Sequence, residues 1–130
     1  MEDKIPLGDQ FPVIEGEAMG IGEEKLRHNM SASQLRVRKP WGSYTDFYRT
    51  DNVVFKTISV TPNSRLSLQS HNDRNEFWVV VSGECVCQLD DAEFKMTEGD
   101  VILIPKTSVH RLCNRSSTMC VVAELQYGAC

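Results

Sequence analysis

No apolar run in this chain, Phe77-Trp78-Val79-Val80-Val81 included, approaches the length needed to cross a bilayer, so no membrane association is expected. Concentrated basic charge is also missing. The 14 Lys and Arg are scattered among 18 Asp and Glu for a formal net charge of -4, which leaves no cationic surface for a phosphodiester backbone and excludes nucleic acid as an expected partner. The opening MEDKIPLGDQ lacks the basic start and apolar run of a secretory leader, and the cytoplasm is the expected location. The five cysteines are odd in number, and four of them (Cys85, Cys87, Cys113 and Cys120) lie in apolar, strand-like runs. They read as reduced, buried thiols. A Cys85-x-Cys87 metal site is the alternative, but it lacks a second pair. No repeat or low-complexity tract is evident.

What remains is an ordinary globular composition, 41% hydrophobic and 25% charged over 130 residues, with room for one domain around one core. Residues 1 to 37 show no strong alternation and read as an N-terminal arm, with a short helix around GEEKLRHNM. Residues 38 to 130 carry short β-branched and aromatic runs, separated by turn residues at roughly the ten-residue interval of an all-β sandwich or barrel. The expected strands are SYTDFYRT, NVVFKTISV, RLSLQSH, EFWVVVSG, ECVCQLD, AEFKMT, DVILIP, VHRLCN and TMCVVAELQ. Punctuation comes from Asp51-Asn52, Pro62-Asn63, Gly83, Asp90-Asp91, Gly99 and Pro105.

Three segments carry candidate chemistry. If RLSLQSH is one regular strand, Arg65, Ser67, Gln69 and His71 share one face and Leu66 and Leu68 the other. Taken alone, that pattern also fits an ordinary strand with wet polar residues. In EFWVVVSG both faces are apolar, so Glu76 opens a buried strand, and a buried carboxylate calls for a partner or a metal. In GDVILIPKTSVH, a glycine turn, an apolar strand and a proline stop deliver His110 to the start of the next strand. Glu124 and Gln126 share a face with Cys120 and Val122. If that face is interior, Glu124 is a candidate general base; otherwise it is a solvated edge carboxylate.

The spacing Gln69-x-His71-x4-Glu76-x6-Gly83, followed by Gly99-x5-Pro105-x-Thr107-x2-His110-x3-Asn114, resembles the two cupin motifs, with Gln in place of the first histidine. KPWGSY, RLSLQSH, EFWVVVSGE, FKMTEGD and AELQYG are more narrowly similar to the C-terminal cupin domain of type II phosphomannose isomerases, a domain often fused to a mannose-1-phosphate guanylyltransferase. The resemblance covers about residues 36 to 128 and implies a single cupin, a jelly-roll or double-stranded β-helix barrel. It also implies one divalent metal held by Gln69, His71, Glu76 and His110. Zinc is the first expectation, and Mn, Co, Fe or Ni suit the same mixed N/O donors.

The activity implied is aldose-ketose isomerisation of a sugar phosphate, with mannose 6-phosphate and fructose 6-phosphate as the pair and a metal-stabilised enediolate between them. Arg65, Glu124 and Lys106 are the candidate catalytic residues, and Arg65, Ser67 and Arg111 the candidate substrate contacts. The family carries histidines where this chain has Asn72, Asp73 and Phe77, which raises a non-catalytic, metal-bearing sugar-binding or regulatory cupin as an alternative. A cupin dioxygenase is a further one. Cupins commonly have glycine where this chain has Asn63 and Thr107, and Thr107 suggests a different local turn. No glycine-rich nucleotidyltransferase motif is present. Strands with two apolar faces in so small a domain call for cover from the arm or a second subunit, and a homodimer is expected.

Overall fold

The computed structural model describes residues 13–15 and 35–129, and all regular structure among them is strand. Strand β1 (Val13–Glu15) is followed by β2 (Leu35–Lys39), β3 (Gly42–Arg49), β4 (Val53–Val60) and the two-residue β5 (Ser64–Arg65). Then come β6 (Arg74–Ser82), β7 (Glu84–Leu89), β8 (Ala92–Thr97), β9 (Val101–Ile104), β10 (His110–Asn114) and β11 (Cys120–Gly128). Seven strands form one sheet in the order β1-β2-β3-β4-β11-β6-β9, and four form the other in the order β5-β10-β7-β8. Pairing is antiparallel throughout except between β1 and β2. This all-β arrangement agrees with the fold expected from the sequence.

Period-2 alternation decides what each strand buries. On β6, Glu76, Trp78 and Val80 are 2%, 2% and 1% exposed, while Val81 on the opposite face is 48% exposed. Ile58, Val60, Trp78, Val80, Ile104 and Leu112 form an apolar core with Cys85, Cys87 and Cys120. At about 1.5–3 kcal/mol per fully buried aliphatic side chain, this core supports a polar end at which Glu76, His110, Glu124 and Gln126 are also buried. The four described cysteines are free and buried, as expected. Burial pushes the Cys87 thiol up to about 12, so it stays protonated. Gly83 joins β6 to β7 at a φ of +78, where an added Cβ would lie 2.4 Å from the Met119 carbonyl oxygen. Only glycine fits there.

The arm expected over residues 1 to 37 ends sooner. Residues 35 to 37 belong to β2, with Leu35 and Val37 1% and 0% exposed. Their alternation with Arg36 and Arg38 spans too few residues to stand out. Val13–Glu15 runs beside β2 as a strand, and the expected helix around GEEKLRHNM lies outside the described residues.

RLSLQSH is not one regular strand. Leu66 N–H donates to the Leu112 carbonyl (3.0 Å), and Gln69 exchanges two backbone hydrogen bonds with His110 (2.9 and 2.8 Å). Three residue steps on one side oppose two on the other, so one extra residue bulges between these contacts. Leu66 packs on the core while Leu68 is 55% exposed, and Arg65 and Gln69 lie on opposite sides of the chain. Thr107 keeps the left-handed turn it was expected to lose, with a φ of 73, as does Asn63 with a φ of 60.

The outer face of the larger sheet is uncharged across four strands. Phe55 stands opposite Leu125, Leu125 opposite Phe77, and Phe77 opposite Leu103. Among the described residues no helix is long and apolar enough to cross a membrane.

Candidate metal centre

One cavity of roughly 290 Å³ opens between the two sheets at their polar end. Strand β6 delivers Glu76, β10 delivers His110, and the Gln69 bridge to His110 carries the chain on to His71. The ligating atoms of His71, Glu76 and His110 all lie within 4.8 Å of one another. Glu76 places Oε2 3.3 Å from His71 Nε2 and Oε1 3.3 Å from His110 Nε2. The Ser108 carbonyl accepts from His110 Nδ1 (3.1 Å), which turns Nε2 toward Glu76. Gln69 borders the same cavity, and its Nε2 donates to Ser67 Oγ (3.3 Å), leaving Oε1 as its donor atom for a cation. Two imidazole nitrogens, a carboxylate and an amide oxygen make a donor set that fits a divalent transition metal.

The local electrostatics favour an ionised Glu76. Burial pushes its carboxyl up, but hydrogen bonds with His110 and Glu124 and the charges of His110 and Arg74 outweigh that, leaving it well below the usual carboxylate range. His71 is lowered by burial and by Arg74, whose Nη2 donates to His71 Nε2 (2.9 Å) and to Glu76 Oε2 (3.0 Å). Burial lowers His110, yet its hydrogen bond with Glu76 leaves the ring raised.

Glu124 is an interior residue, 4% exposed, on the same wall of the cavity. Trp78 Nε1–H donates to Oε2 (2.8 Å) and Gln126 Nε2 to Oε1 (3.0 Å). Burial and the charge of Glu76 push Glu124 up to about 7.

Ser67 borders the cavity, but Arg65, Lys106 and Arg111 do not. The bulge before Gln69 turns Arg65 to the outside of the smaller sheet. Arg111 alternates with the inward His110 and Leu112 and faces the same way, and Lys106 sits exposed in the turn after β9. Positions 72, 73 and 77 are also off the cavity wall: Asn72 and Asp73 are exposed, and Phe77 points away from Glu76 and Trp78. Residues missed in the sequence are Lys39, Tyr44, Lys56 and Arg74, all on the cavity wall. Lys56 carried a visible signal: it is the lone charge on a face shared with Val54, Ile58 and Val60.

Comparison with known proteins agrees with this geometry. The alginate biosynthesis protein AlgA of Pseudomonas aeruginosa is 42% identical over 97 residues, covering 75% of this chain and 20% of that protein. A mannose-1-phosphate guanylyltransferase of Salmonella muenchen is 32% identical over 128 residues, covering 98% of this chain and 26% of that protein. The chain thus spans about a fifth to a quarter of the length of these relatives. Among solved structures, the capsular polysaccharide assembling protein CapF of Staphylococcus aureus superposes with a TM-score of 0.67 at 23% identity, over 75% of this chain and 31% of that one. A cupin-superfamily sugar phosphate isomerase from Silicibacter pomeroyi superposes with a TM-score of 0.58 at 20% identity, over 65% and 58%. The family described as mannose-6-phosphate isomerase C-terminal matches residues 26–130, so this chain is a cupin barrel that belongs to that family.

Proposed function

We propose that this protein is a metal-dependent sugar-phosphate isomerase, moving a proton between adjacent carbons of an aldose phosphate and a ketose phosphate. The observation that carries this reading is Glu124, a buried carboxyl raised to about 7, on the wall of the cavity that holds the His71, Glu76 and His110 cluster. Gln69, His71, Glu76 and His110 would hold one divalent ion, zinc first among the candidates. Such an ion supplies polarisation of a carbonyl oxygen and stabilises negative charge developing there.

Glu124 is suited to take a proton from carbon and return it, because its pKa lies near neutrality. The hydrogen bonds from Trp78 and Gln126 fix the orientation of its two oxygens. Ser67, which lines the cavity, would meet a sugar hydroxyl. Reduced, buried thiols and a phosphorylated substrate both suit the cytoplasm.

The test is elemental analysis of the purified protein, followed by a screen of hexose and pentose phosphates with the preferred ion. Chelation is expected to abolish turnover, and H71A, E76Q and H110A each to weaken metal affinity by at least about a hundredfold. Metal-loaded protein that interconverts no sugar phosphate sinks the isomerase. Binding without turnover would select a sugar-binding cupin instead.

A further inference from the structure

We infer that Lys56, with Lys39 on the same wall, is an anion anchor that takes the phosphate of a substrate whose carbonyl lies at the His71, Glu76 and His110 cluster. The reading rests on the proposed isomerase for the organic part of the substrate only. Lys56 points inward on β4 between Val54 and Ile58, which are 0% and 4% exposed, and only 14% of its own side chain is exposed. A lysine so placed loses hydration and must be held by its surroundings. Its Nζ lies 3.9 Å from Asp46 Oδ1 and 4.4 Å from the centre of the Tyr44 ring. Asp46 also binds Arg49 (3.0 Å).

The cavity wall carries three cations, Lys39, Lys56 and Arg74, against the carboxyls of Glu76, Glu124 and, beside Lys56, Asp46. A divalent ion would tip that balance toward positive charge, and a dianion would offset it.

Calorimetric titration with inorganic phosphate tests the anchor directly, on chelated and on zinc-loaded protein, for the wild type, K56M, K56R and R65M. K56M is expected to weaken phosphate binding about tenfold or more on both, while K56R stays within about threefold of the wild type. R65M, altered outside the cavity, is expected to bind as the wild type does. Equal phosphate affinity for K56M and wild type overturns the inference, as does an equal loss in R65M. If phosphate binding depends on Lys56 but no sugar phosphate is turned over, the anchor stands and the isomerase falls. If turnover persists in K56M with an unchanged KM, the anchor alone falls.

Discussion

Glu124 owes its chemistry to its neighbours rather than to its residue type. Trp78 and Gln126 hold its two oxygens, and Glu76 lies close enough to oppose its ionisation. Replacement by Gln keeps the shape and removes the ionisable group. We expect E124Q to lower kcat by roughly 10²–10⁴ with metal content and melting temperature preserved, read by initial rates and elemental analysis. Unchanged rates would remove Glu124 from catalysis. Its interior position could be read from the sequence because it alternates with Cys120 and Val122, which mark the inner face. The same rule exposes Lys56 among Val54, Ile58 and Val60. Arg65 was misplaced for a different reason. Nothing in RLSLQSH announces an extra residue, and one extra residue moves every side chain before it to the other face.

Strand positions followed from alternation and turn residues almost everywhere, whereas the irregular connections did not. Strand β2 was hidden by its shortness, and β5 stops after two residues where a seven-residue strand was expected. The turn at Thr107 is the clearest case of conformation overriding residue preference. A β-branched residue with a φ of 73 is strained, yet the Thr107 N–H donates to the His71 carbonyl at 2.6 Å and ties the ligand loop to the end of β9. Glycine would keep that hydrogen bond without the strain. T107G is expected to gain about 1 kcal/mol, raising the melting temperature by about 3–5 °C with metal affinity retained. A lower melting temperature would show that the threonine side chain contributes more than its backbone strain takes away.

At the scale of the whole molecule, the row Phe55, Leu125, Phe77 and Leu103 lies on the outer face of the larger sheet, and we propose it as the surface on which a second copy would pack. Phe55, Leu125 and Leu103 are 38%, 37% and 49% exposed in one contiguous apolar row, the kind of surface that a partner covers. We expect the wild type to sediment as a dimer at micromolar concentration and L125E, altered near the centre of the face, as a monomer that still binds metal. A monomeric wild type would sink the expectation. The outward residues alternate with those that line the cavity: Phe55 precedes Lys56, Leu125 follows Glu124, and Phe77 follows Glu76. A second copy gripping the outside of these strands would therefore stiffen the walls within, and dissolving such a pair is expected to register in turnover as well as in mass.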